Sequence, residues 1–245
     1  IGLDLGAVAR RFDRALLTYV LGRNLKEQDG EADQAQALAA QRAARLLNRL
    51  RDYAFVQWFE DADGAPYARV HYLIRERLAE RLRREDPARY EQWHAELARY
   101  YEQRLDCETL DVGRSDYARL HRIEDPSWQT AMTEWLYHLC RLNDRRAAQL
   151  QLTRLYVQAF DWWGAYLPFR FCQDLLDVWE RTQPGDDRAF LQRFQAFQAA
   201  YPPGIDKRGQ GDWARVHEVL DLILCDLELD RPPETLTTVE RYIRG

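Results

Sequence analysis

FVQWFEDADGAPYARVHYLIRERL, residues 55–78, decides the fold. Phe55-Val56-Gln57-Trp58-Phe59 is dense in aromatic and β-branched residues, which suit a pleated strand. Asp61-Ala62-Asp63-Gly64 follows, with residue types that tolerate a tight turn. Tyr67–Val70 then returns as a second strand. From Leu73 the period lengthens, and Ile74, Leu78 and Leu82 recur at helical spacing. His71 stands where strand gives way to helix.

Upstream, Val8, Phe12, Leu16 and Tyr19 share one face of a predicted first helix. Leu46, Leu47, Leu50 and Tyr53 mark the end of a second, after a polar stretch over 27–33. Helices followed by a two-stranded wing read as a winged-helix domain. Downstream, Glu85-Asp86-Pro87 and Glu124-Asp125-Pro126 each place an aspartate at an N-cap and a proline at the first helical position. Proline's missing N–H costs nothing there, and the carboxylate accepts an orphan amide. The first start launches Tyr90, Trp93, Leu97 and Tyr101. The second launches Met132, Trp135, Leu136, Leu139 and Cys140. Further apolar stripes follow at Leu152, Leu155 and Ala159, at Cys172, Leu175, Leu176 and Trp179, at Phe190, Phe194, Phe197 and Tyr201, and at Val216, Val219, Leu220, Ile223 and Leu227. Proline–glycine breaks separate them. The expected architecture is mainly α: a winged-helix domain with one β-hairpin over 1–84, a helical linker over 85–145, and an irregular α-solenoid of helix pairs over 146–245.

The chain has 245 residues, 46% of them apolar and 31% charged, which fits globular domains with real cores. Its net charge of −5, with acids and bases interleaved, argues against a dedicated nucleic-acid binder, although a local basic patch survives such an average. Lys26 and Lys207 are the only lysines, so basic character is carried by arginine. No stretch reaches the roughly 20 apolar residues of a membrane span. Cys107, Cys140, Cys172 and Cys225 are widely spaced and form no CxxC pair, which speaks for a reducing, cytoplasmic setting over a disulfide framework. The first residue is Ile1 and no signal-peptide pattern follows, so a piece of a longer protein is expected.

Catalytic constellations are thin. No GxSxG is present, and no GxxxxGK[ST] loop to cradle phosphates, so the chain is read as a non-enzyme with no cofactor of its own. His94 with Glu91, and His138 with Glu134, sit at helical spacings that put each pair on one face. Without an HExxH or a third ligand they read as surface polar pairs, not metal sites. The aromatic run over 160–171 reads as core at a helix corner, with Gly164 and Pro168 making the bend. Arg42, Arg45 and Arg49 on the second helix either contact DNA as a recognition helix or form an ordinary solvated face. His71 either hydrogen-bonds a phosphate brought against it or caps the helix and packs in the wing.

The order of motifs resembles the end of the ATPase module in STAND NTPases, the signal-transduction ATPases that include NACHT and NB-ARC proteins. Their winged-helix hairpin is followed by a motif of the form H-x-L-x-R, matched here by His71-Tyr72-Leu73-Ile74-Arg75. His94-Ala95-Glu96-Leu97-Ala98-Arg99-Tyr100-Tyr101 is similar to the helix these proteins carry next. Glu134-Trp135-Leu136-Tyr137-His138-Leu139 is similar to an E-x-x-Y-H-L signature at the start of their helical arm. The resemblance covers roughly residues 5–145. It implies that His71 is a nucleotide sensor touching the β-phosphate of ADP, with ADP or ATP held by a domain upstream of Ile1. The plant-type motif has aspartate where this chain has Tyr72. The resemblance further implies a protein partner or ligand on the helical arm, oligomerisation of like chains on activation, and a role such as bacterial antiphage defence. The alternative reading is a DNA-binding winged-helix regulator with a helical ligand or dimerisation domain.

Overall fold

The computed structural model describes residues 2–29, 32–61, 63–109, 121–142, 144–160, 163, 169–182, 188–200 and 213–227. The fold is mainly α-helical, with one two-stranded antiparallel hairpin among these residues. Two compact units divide the chain, Ile1–Leu110 and Asp111–Gly245.

The hairpin forms where aromatic and branched residues predict it. Strand β1, Val56–Glu60, pairs antiparallel with β2, Pro66–Val70, in the register Val56↔Val70 through Glu60↔Pro66. Its turn is organised by Asp61. The Asp61 carboxylate accepts the Ala65 amide at 2.7 Å and the Asp63 amide at 3.1 Å. Gly64 sits at φ 77°, a left-handed conformation that a Cβ disfavours. The amide bond from Ala65, with help from Arg11, holds the Asp61 carboxyl below its ordinary value.

The predicted first helix is two helices. Helix α1 spans Gly2–Val8 and α2 spans Arg14–Asp29. Between them Phe12 is extended and exchanges both backbone hydrogen bonds with Ala68 of β2, each at 2.8 Å. Phe12 thereby adds a one-residue third strand to the hairpin. Asp13 then restarts the helix: its carboxylate accepts the Leu16 amide at 2.7 Å, as an N-cap does. Val8, Phe12 and Leu16 are all buried, so the apolar period runs unbroken across a broken helix.

Helix α3, Ala32–Leu50, lies against α2. Its buried stripe is Ala35, Ala39 and Ala43, not the expected leucine face. Small residues let the two backbones approach: a Cβ on Gly22 would stand 3.6 Å from the Ala39 Cβ. Leu46, Leu47 and Leu50 are only half-buried, and Tyr53 lies beyond the helix end and is exposed.

Helix α4, Tyr72–Glu85, leaves β2 directly and packs on α1 and on α5, Pro87–Thr109. Asp86 caps α5, accepting the Arg89 amide at 3.0 Å, with Pro87 next. Tyr90, Trp93, Leu97, Tyr100, Tyr101 and Leu105 of α5 carry much of this unit's core. None of the α4 residues is buried, so the stripe from Leu73 to Leu82 is not a core stripe.

In the second unit a short 3-10 turn, Arg122–Glu124, leads into α6, Pro126–Cys140, where Asp125 accepts the Ser127 amide at 2.9 Å. Then come α7, Arg145–Ala159, α8, Arg170–Thr182, α9, Arg188–Ala200, and α10, Trp213–Asp226. Each packs on its chain neighbour, and α6 also meets α8. The apolar stripes read from the sequence are the buried faces: Leu152, Leu155 and Ala159; Leu175, Leu176 and Trp179; Phe190, Phe194 and Phe197; Val219 and Ile223. Tyr156 joins two of them, 4.9 Å from Phe194 and 5.9 Å from Phe160 between ring centres. Phe160 and Phe171 are buried as expected, whereas Trp163 is exposed and donates its indole N–H to Glu124. Gly164 and Pro168 lie outside the described residues, and so does Tyr201.

Candidate functional site at the hairpin–helix junction

His71 is fixed by its backbone. Its amide donates to the Phe55 carbonyl at 2.8 Å, one step beyond the last strand pair. Its own carbonyl accepts the amides of Ile74 and Arg75, each at 3.0 Å, and so starts α4. With φ −51° and ψ 133° it occupies the N-cap in extended conformation. The imidazole makes no capping hydrogen bond. It is half-buried and lies against Tyr72, with ring centres 5.1 Å apart.

Hydrogen-bond donors are available at the start of α4. The first turn of α4 holds no acidic residue, and a helix N-terminus offers unpaired amides and the positive end of the backbone dipole. Arg75 lies one turn further on. Its side chain is 15% exposed and reaches Glu76 at 3.3 Å, while its Nε is buried without a hydrogen-bond partner among the described residues. An imidazole, an arginine and the start of a helix together suit an anionic oxygen.

The surroundings are apolar and open. Tyr72, Leu73 and Ile74 are 61%, 55% and 41% exposed. Tyr53 and Phe55, whose rings stand 5.3 Å apart, are exposed on the strand side of the junction. Large apolar side chains thus stand open to solvent on both sides of the junction.

The other residues singled out from sequence fall elsewhere. Arg42, Arg45 and Arg49 are exposed on α3. His94, Glu134 and His138 are buried, which overturns their reading as surface pairs; only Glu91 is exposed. The reason is the face each helix turns inward: His94 lies on the buried side of α5, 4.5 Å from the Tyr90 ring, and α6 buries the Glu134–His138 side along with Trp135. Among the described residues no group of His, Cys, Asp or Glu could hold a metal ion. Cys172 is buried, and burial pushes its thiol up to about 12, far from reactivity.

Sequence reading missed Arg11. It is 8% exposed and sits 3.5 Å from Asp61, 3.8 Å from Asp13 and 4.2 Å from the Tyr67 ring centre. One guanidinium thus ties the helix restart to the hairpin turn and the strand that delivers His71. Nothing in the local pattern sets Arg11 apart from Arg10; only the fold brings its three partners together. An open groove of about 530 Å³ lies along α2 and α3, lined by Arg14, Thr18, Tyr19, Arg23 and Gln36, and none of the His71 neighbours contributes to it.

No helix among the described residues is long and apolar enough to cross a membrane. No protein-family model matches the chain, and neither a curated protein nor a solved structure does.

Proposed function

We propose that the chain is the regulatory and sensing portion of a STAND-type signal-transduction ATPase, acting in the cytoplasm and not itself catalytic. The first unit is its winged helix, and the second begins a solenoid-like sensor arm. The observation that carries this reading is the half-buried His71 at the start of α4, followed by exposed Tyr72, Leu73 and Ile74 and, one turn on, by Arg75. That is the arrangement expected of a surface that closes over a nucleotide held by another domain. The imidazole and the helix start take the phosphate oxygens, and the apolar side chains exclude water so that those contacts gain strength.

In the mechanism this implies, ADP in the neighbouring domain and His71 on the winged helix stabilise one closed state. A protein or smaller ligand caught by the helical arm prefers the open state. It can shift the equilibrium only by its differential affinity for the two states. Opening uncovers the apolar side chains, ADP gives way to ATP, and like chains assemble. The test is ADP retention and basal activity in the longer polypeptide this reading requires. His71→Ala is expected to shed ADP faster and to raise basal activity. Retention and activity equal to those of the unsubstituted protein would refute the clamp.

A further inference from the structure

On α4 most arginines have an acid partner: Arg77 meets Glu80 at 3.2 Å, Arg81 meets Glu85 at 2.9 Å and Arg84 meets Glu85 at 4.0 Å, while Arg83 is exposed with no ion pair among the described residues. On α5, Arg99 meets Glu96 at 3.4 Å, and Arg89 reaches Asp4 at 2.7 Å. Helix α3 is different. Between Asp33 and Asp52 the sequence has no acidic residue, while Arg42, Arg45, Arg49 and Arg51 fall in that span. Arg42, Arg45 and Arg49 are exposed, and among the described residues none of the three has an ion-pair partner.

Helical spacing gathers the exposed side chains. Gln34, Gln41, Arg45 and Asn48 form a row along α3 opposite the buried Ala35, Ala39 and Ala43, with Arg42 and Arg49 beside it. The three arginines span about 10 Å along the helix axis. Residue types on this row matter as much as charge. Arginine, asparagine and glutamine are the side chains that read base edges by paired hydrogen bonds, and arginine also meets phosphates. Leu38 is the one large apolar side chain there, too little for insertion into a lipid surface.

We infer that the exposed face of α3 binds duplex DNA, with Arg42, Arg45 and Arg49 on phosphates and Gln41 and Asn48 towards the groove. A B-form major groove about 12 Å wide admits a helix, whereas the deep, narrow groove of duplex RNA does not. The inference is independent of the nucleotide clamp at His71, since the two use different helices and different residues. It gives the winged helix a second surface, with a polyanionic partner.

Fluorescence anisotropy of a labelled DNA duplex of about 20 base pairs, titrated with the 245-residue chain at several salt concentrations, tests it. Three phosphate contacts predict that log K falls against log salt with a slope of about −3. The triple substitution R42Q/R45Q/R49Q is expected to weaken binding at low salt by at least about tenfold and to flatten the slope towards zero. R42K/R45K/R49K, which keeps the charges, should bind within a few-fold of the starting protein. R77Q/R81Q/R83Q on α4 should leave binding unchanged. Circular dichroism checks that each variant is folded. Absence of duplex binding at low salt, binding indifferent to the glutamine triple, or equal binding of duplex RNA and heparin would overturn the inference.

Discussion

The amide of His71 donates to the carbonyl of Phe55 at 2.8 Å, so the residue that begins α4 is held by the residue that precedes β1. The hairpin therefore brackets the junction. Its closed end is the Asp61 turn, and its open end is His71.

Arg11 braces the closed end. Replacing it with methionine keeps the apolar stem over Tyr67 and removes the charge facing Asp61 and Asp13. Loss of hydrogen bonding to a charged partner predicts about 1–3 kcal/mol of destabilisation in urea unfolding. The unfolding slope m should stay the same, because the surface exposed on unfolding does not change.

Asp61 gives the turn a pH dependence. Its folded carboxyl lies below the ordinary 3.8 because of the Ala65 amide and Arg11. Its contribution to stability is therefore complete above 3.8 and is lost as pH falls through the lower folded value. Asp61→Asn keeps an acceptor for the two amides and removes the titration. The stability gap between the two proteins should be constant near neutrality and should narrow below 3.8. A gap independent of pH down to 2, roughly two units below the ordinary value, would show that the turn does not sense this carboxyl.

Gly64 has open space where a Cβ would go, yet its φ is 77°. Gly64→Ala should cost about 1–2 kcal/mol from conformation alone, measurable as a lower unfolding midpoint. A neutral outcome would mean that the turn relaxes to a conformation alanine accepts.

Thiol accessibility separates the cysteines of the second unit. Cys140 and Cys172 are buried, and burial raises the Cys172 thiol to about 12, while Cys225 is exposed. Iodoacetamide at pH about 8, near the ordinary thiol range, should label Cys225 in the folded chain and reach Cys140 and Cys172 only in denaturant. Rapid labelling of Cys172 in the folded chain would contradict the packing of α8.

The hairpin, both aspartate–proline helix starts and the stripes of α7 to α10 were legible because each rests on local chemistry: strand-forming residues, a cap, a period. The break between α1 and α2 was not. Val8, Phe12 and Leu16 keep a helical period, and what pulls Phe12 out of helix is Ala68, far along the chain. Asp13 was the one local signal, an N-cap residue ahead of Leu16. The burial of His94, Glu134 and His138 was equally illegible, since polar residues on a core face look like polar residues on a wet one until the neighbouring helices are placed. Leu73 and Ile74 show the same limit in the opposite sense. Their spacing announces a helix but not which residues it buries, and the fold leaves both exposed just after His71. At the candidate site, sequence supplied the position of His71, and the fold supplied the exposure of its apolar neighbours and the part-buried Arg75 one turn on.

The most direct test is nuclear magnetic resonance of histidine side chains, selectively labelled with nitrogen-15, in the longer polypeptide that the nucleotide-sensor reading requires. The chain contains five histidines, and His71→Gln assigns the relevant signal. The nucleotide-sensor reading predicts that adding ADP shifts the His71 ring nitrogens and leaves those of buried His94 and His138 in place. A His71 ring signal that stays at its nucleotide-free position when ADP is saturating would contradict it.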